Sequence, residues 1–330
     1  MPLHFWSRFW TLVLLFGLFV VSLGLAAAAT GWQEAIAAFG RIGRLELLAL
    51  LGLSVVNYVI RAVRWSILTR TVGVGGGIAQ EFRHYFGGLA FMATPGRLGE
   101  FVRLRWLSRE AGVPVHRVLP AAIAERAFDL ASVGLLLVLS LALSAFGPGY
   151  IWLLAVVALS LAWIASNSRL LQAIVTFAWR AVGRLPRVFA RARLMAKGIG
   201  IFTRPGAGVP ILLIGGLGWF CEGWAFALLL DWMGAPLPLW AAVAIFLTSM
   251  TSGALAGMPG GLGGAEAAMV ALLLFADVPA EIALPATALI RAVTMWFAIL
   301  VGLIVFPFAE AKSKSHAILP ARDNRVRKQS

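Results

Sequence analysis

One cysteine, four histidines and a charged fraction of 13% are what this 330-residue sequence has least of. Cys221 lies inside an apolar run, so neither a disulfide framework nor a thiol metal cluster can be built. His4, His84, His116 and His316 are scattered, and no pair has metal-ligand spacing or marks an acid–base centre. No Gly-x-x-x-x-Gly-Lys-Ser/Thr loop is present, so ATP hydrolysis is not encoded. The shortage of charge also excludes a soluble fold. With 61% hydrophobic residues and a mean hydropathy of +0.89, one water-surrounded core could not absorb the apolar surface. The expectation is a membrane protein that is not an enzyme and holds no metal or cofactor.

What is present is one apolar run after another. A bilayer span needs about 20 residues, and six runs qualify: near 10–30, 46–66, 118–146, 149–166, 209–233 and 282–308. Two more, 84–108 and 238–276, are apolar but interrupted by Pro-Gly sequences. The expected fold class is all-α and polytopic, with about six spanning helices and two broken or re-entrant stretches. The first run, Thr11 to Ala29, ends in alanines that could pass for a signal-peptidase site. It exceeds the roughly 7–15 apolar residues of a cleaved signal and reads as a retained helix.

The 28 Lys and Arg exceed the 14 Asp and Glu, for a net charge of +14. In a soluble chain this excess would suggest nucleic acid, which is not expected here. Residues 61–117 carry nine basic and three acidic side chains, 167–208 carry eight and none, and 309–330 carry six and two. Basic segments between apolar runs mark cytoplasmic loops and face an anionic membrane surface. If both broken stretches return to the side they enter from, every basic segment lies on one side. That places both termini in the cytoplasm of a cell with a bacterial-type inner membrane. The membrane domain then covers 1–310, with a basic tail at 311–330. Within 167–204, Arg180, Arg184, Arg187 and Arg191 recur at helical spacing among Ile174, Phe177, Val182, Leu185 and Phe189. This reads as an interfacial helix pair broken at Pro186, or alternatively as a solvated basic loop.

An internal repeat is visible. Leu119-Pro120-Ala121 with Arg126-Ala127 returns as Leu284-Pro285-Ala286 with Arg291-Ala292, at a constant offset of 165. Upstream of each lies a Pro-Gly break with a glutamate: Pro95-Gly96-Arg97-Leu98-Gly99-Glu100, and Pro259-Gly260-Gly261-Leu262-Gly263-Gly264-Ala265-Glu266. The units, about 46–146 and 209–308, would be inverted under the topology above, a transporter signature.

Non-helical backbone at membrane depth must be covered by protein or line a wet cavity, so these breaks imply a polar cavity. Proline removes a donor, glycine permits unusual dihedrals, and half-helix ends can offer N–H groups to a lipid phosphate. Ionisable residues near the breaks are the candidates for translocation: Arg64, Arg97, Glu100, Arg103, Glu125, Arg126, Asp129, Glu222, Glu266 and Arg291. Arg61 also ends the second run. Glu125 and Asp129, four apart, share a helix face. Simpler readings stay open. Arg61, Arg64 and Arg103 could be snorkelling anchors, and Glu100 with Arg103, or Glu266 with Arg291, could be structural pairs. Gly253 and Gly257 read as a packing motif, and the tryptophans as interface anchors.

The residues Arg64-Trp65, Pro95 to Glu100, Arg103, Glu125-Arg126, Asp129, Pro259 to Gly263 and Glu266 together resemble one family. It is the transmembrane flippase domain of the lysyl-phosphatidylglycerol synthases, with its stand-alone flippase-like relatives, over roughly residues 10–308. The resemblance implies a lipid-translocating protein whose charged residues line the headgroup path. Because the chain ends about twenty residues after its last apolar run, synthase activity is not expected with it. The expected function is a flippase for an anionic or polyprenyl-type lipid, with membrane lipids as partners. The alternatives are a membrane-embedded headgroup transferase and a non-catalytic scaffold, which would have lipid-synthesis enzymes or a second copy of the chain as partners.

Overall fold

The structure is a computed structural model, and it describes residues 37, 40–94, 98–144, 149–182, 186–202, 205–256 and 259–326. The first apolar run, Pro95, Gly96 and Arg97 lie outside the described residues. In chain order the helices are α1 (Arg44–Thr71), α2 (Ile78–Gly88), α3 (Leu98–Glu110), α4 (Val115–Ser144), α5 (Tyr150–Ser166), α6 (Ser168–Val182), α7 (Pro186–Ile199), α8 (Pro205–Trp232), α9 (Leu239–Leu255), α10 (Gly264–Phe275), α11 (Ala280–Arg291) and α12 (Phe297–Val326). The protein is an all-α polytopic membrane protein. Helices α1, α4 and α8, and the rod formed by α11 and α12, are each long and apolar enough to cross a bilayer. The fourth expected span, 149–166, is α5, which has 17 residues and meets α6 at a bend of 78°.

The long helices are amphipathic in the reverse sense to soluble ones, because lipid solvates their apolar faces. On α1, Val55, Val59 and Val63 recur every four residues and are exposed, while Asn57, Arg64 and Trp65 are buried. On α4, Leu135, Leu139 and Leu143 face out, while Glu125, Asp129 and Ser132 are buried. Helix α8 exposes Leu213, Leu217 and Trp224 and buries Glu222.

Among the described residues, each of the two interrupted stretches has a helix, a short turn and a second helix. Helix α2 runs into a 3-10 turn at Leu89–Phe91 before α3 begins, and α9 is followed by a 3-10 turn at Pro259–Gly261 before α10. In the second break Gly260, Gly261 and Gly263 have φ of 62°, 71° and 81°, a region that other residues enter at a cost. Gly99, read from sequence as part of the first break, is instead inside α3. A Cβ there would lie 2.1 Å from the Gly88 carbonyl oxygen, so its role is close passage of α3 past α2. Gly253 packs onto Ala265 of α10, whereas Gly257, the other residue of the expected packing motif, lies outside the described residues. The expected helix pair in the basic segment is α6 and α7, and Pro186 opens the second helix at a first-turn position, where its missing N–H costs nothing.

The first of these turns is covered by protein. Gly302 of α12 sits so close to the first turn that a Cβ would lie 2.0 Å from the Ala90 nitrogen. Between α11 and α12 the rod widens into a π turn at Ala292–Trp296. The Tyr58 hydroxyl donates to the Thr294 carbonyl there, at 2.5 Å, and so satisfies backbone that the π turn perturbs.

At the open end of the α2–α3 pair, Arg83 donates to Glu110 at 2.6 Å, and His84 Nε2 lies 3.0 Å from the same carboxylate. Burial alone would push the Glu110 carboxyl up, but the His84 hydrogen bond and charge, with the Arg83 guanidinium, outweigh it and hold it below the usual glutamate range. A lowered carboxylate contributes stability that is full above its unfolded-state value and lost as pH falls through its folded-state value. Acidification below the usual carboxylate range should therefore loosen this end of the pair, read as faster amide exchange over residues 78–110. A Glu110→Gln variant should lack that pH step.

A buried charged cavity between two helix breaks

Four helices bring the charges together. Helix α1 contributes Arg61 and Arg64, α3 contributes Glu100 and Arg103, α4 contributes Glu125, Arg126 and Asp129, and α8 contributes Glu222. Arg64, 1% exposed in its side chain, holds Asp129 at 2.6 Å and Glu125 at 3.7 Å. Arg103 donates to Glu125 from the other side and lies over the Trp65 ring, 3.8 Å from its centroid. Arg61 reaches Glu222 at 3.5 Å and Asp129 at 3.8 Å. Arg126 lies 3.0 Å from Asp129, 3.4 Å from Glu100 and 3.9 Å from Glu125. Reciprocal pairing of this kind is what lets charges remain in a low-dielectric interior.

The snorkelling alternative therefore fails for Arg64 and Arg103, which are buried and paired rather than reaching for an interface. The proposed pairing of Glu100 with Arg103 is also corrected. Arg103 turns to Glu125, and Glu100 faces Arg126, because α4 packs across α3 at this level. Glu266 and Arg291 do pair, Nε to Oε1 at 2.6 Å, and Arg291 also donates to the Gly260 carbonyl at 2.9 Å. Arg126 and Glu100 use the same two atoms at 3.4 Å, so both units join the arginine after the Leu-Pro-Ala motif to the glutamate of their own break.

Glycines on α8 make the room. A Cβ on Gly215 would lie 2.6 Å from Arg64 Nη1 and 2.7 Å from Ser132 Oγ. Gly215→Val should cost about 1–3 kcal/mol through overpacking, measured as a lowered thermal midpoint of the purified protein, with Arg64 still present and charged.

Residues that the sequence reading did not select complete the site. Asn57 donates to Glu222 at 2.6 Å and accepts from Arg61 at 2.9 Å. These two positions, Asn57 and Glu222, are separated by the repeat offset of 165. Trp219, one turn before Glu222, stacks on Arg61 with its ring centroid 4.4 Å from the guanidinium carbon. It is not an interface anchor, and neither are Trp65 and Trp106, both fully buried. The signal for Trp219 was its spacing of three from Glu222 on one helix.

Two cavities adjoin this cluster. A small one, about 70 Å³, is lined by Tyr85, Glu100, Arg103 and Glu125. A larger one, about 540 Å³, is lined by Asp129, Trp219, Gly260 and Arg291, among others. Arg61, Met92, Arg126 and Glu222 line both and form the partition between them. The turns of the two interrupted stretches meet beside it: a Cβ on Gly260 would lie 2.9 Å from the Ala93 Cα. The larger volume is in the range of small-molecule sites. Among the described residues no group of three or more His, Cys, Asp or Glu is placed to hold a metal ion.

Fold and site together define a polytopic α-helical membrane protein with a charged interior cavity set between two interrupted helices. The chain belongs to the family of the lysylphosphatidylglycerol synthase TM region, which it matches over residues 10–302. Its function accordingly lies with membrane lipids. No curated protein matches the chain.

Proposed function

We propose that this protein moves a phosphate-bearing lipid, anionic or polyprenyl-linked, from one leaflet to the other, making and breaking no covalent bond. The observation that carries the reading is the cavity of about 540 Å³. It is lined by Arg126 and Arg291, which hold equivalent places in the two units, and by Gly260, whose turn packs against Ala93 of the other interrupted stretch. The headgroup occupies this volume while the acyl chains stay in the bilayer. In this reading the α2–α3 and α9–α10 stretches are re-entrant and enter from opposite faces. The matched Nε–Oε1 pairs and the Asn57–Glu222 contact between offset-equivalent positions support an inverted repeat. With both termini cytoplasmic, the larger cavity lies on the outer side of the Arg61–Glu222 partition and the smaller one on the inner side. The site would be an inner-membrane one in a bacterial-type cell. Reconstitution into phosphatidylglycerol vesicles tests the reading: fluorescent lipid in the inner leaflet should become accessible to an external quencher without any soluble donor. Quenching that stops at the outer leaflet would count against it.

A further inference from the structure

Arg126 is the most accessible cation of the cluster, with 35% of its side chain exposed, yet it already faces three carboxylates. An entering phosphate must displace one of them. Glu125 is also held by Arg103 and Arg64, and Asp129 is also held by Arg64 and Arg61. Among the described residues, Glu100 has an ion pair with Arg126 alone, at 3.4 Å, and its side chain is 21% exposed. The equivalent pair of the second unit, Arg291 with Glu266, is closed at 2.6 Å and braced by the Gly260 carbonyl. Exchange therefore belongs to the first unit, and Glu100 is the group that yields.

A carboxylate stripped of its cation beside low-dielectric walls is neutralised rather than left charged. Around Glu100 in the small cavity stand Arg103 on its own helix, Tyr85 on α2, Tyr58 and Arg61 on α1, Glu125 and Arg126 on α4, and Glu222 on α8. The arginines other than Arg126 are engaged with Glu125, Asp129 and Glu222. Nearby Glu125 and Glu222 disfavour a second free negative charge. We infer that an anionic headgroup replaces Glu100 on Arg126 and that Glu100 takes up one proton from water as it leaves, so that lipid and proton enter the site together. One O–H bond forms on the Glu100 carboxylate, hydronium or a buffer acid gives up that proton, and nothing is oxidised. This inference rests on the lipid-carrier reading and adds to it a coupling ion.

The test is calorimetric titration of short-chain dioctanoyl phosphatidylglycerol into the detergent-solubilised full chain, in two phosphate-free buffers of different ionisation enthalpy. The expected result is one proton taken up per lipid bound, with an apparent Kd that rises about tenfold per pH unit where the free carboxylate is ionised. Glu100→Gln, a neutral mimic of the protonated acid, should bind with no proton uptake and a Kd independent of pH. Glu310→Gln, which alters a carboxylate paired with Arg105 and Arg109 away from the cavity, should keep the uptake. Wild-type binding without proton uptake would overturn the inference while leaving the carrier reading intact, and so would a Glu100→Gln protein that still takes up a proton or no longer binds. Absence of wild-type binding would overturn both.

Discussion

Arg126→Ala should slow lipid movement on the order of 100-fold, about the loss of one charge-assisted phosphate contact, while the protein stays folded and monodisperse. Arg126 lines both cavities and is the partition's most exposed cation, so it is placed to meet a headgroup from either side. Its removal leaves Asp129 with Arg64 and Arg61, and Glu125 with Arg103 and Arg64, so the buried carboxylates keep cations. Arg126→Lys should recover only part of the rate, because an ammonium cannot reproduce the planar fork of donors. A vesicle assay that reads transport, paired with size exclusion and thermal unfolding of the same preparations, separates this outcome from misfolding.

Arg64→Ala should show the opposite balance, with a loss of stability of about 3–5 kcal/mol, the usual cost of breaking a buried pair from one side. Its guanidinium is 1% exposed and lies 2.6 Å from Asp129, with Gly215 leaving the space it fills. The double variant Arg64→Ala/Asp129→Asn should recover part of the loss, since the interior charge is balanced again. Thermal unfolding of the single and double variants reads this directly. Equal midpoints for wild type and Arg64→Ala would mean that Arg64 is not a structural cation.

The contrast between these two arginines shows what could be read in advance and what could not. Charge in an apolar run is expensive, so Arg64, Arg103, Glu125, Arg126, Asp129 and Glu222 stood out in the sequence, and the structure brings them within ion-pair reach through a few shared partners. Pairing was not legible, because it depends on how α3 crosses α4. Spacing along the chain favoured Glu100 with Arg103, whereas the fold gives Glu100 to Arg126. Asn57 was missed because a lone amide in an apolar run carries no charge signal, although it stands one repeat offset before Glu222. Trp219 was discounted because tryptophan in a membrane helix usually marks an interface, and only the approach of α1 to α8 puts Arg61 over its ring. Gly99 looked like a breaker because it follows Pro95-Gly96, but in α3 its lack of a side chain serves helix crossing. In the second break, by contrast, Gly260, Gly261 and Gly263 hold left-handed backbone.

The central claim, that a lipid headgroup passes through the partition of Arg61, Arg126 and Glu222, is tested most directly by dithionite quenching of fluorescent phosphatidylglycerol in proteoliposomes. Wild-type vesicles, matched against protein-free vesicles and Arg126→Ala vesicles of equal protein content, would be followed in one time course. The claim predicts that wild-type quenching proceeds past the outer-leaflet fraction, while protein-free vesicles stop there and Arg126→Ala vesicles pass it only at the far slower rate given above. Equal quenching by wild type and Arg126→Ala, whether both pass that fraction or both halt at it, would contradict it.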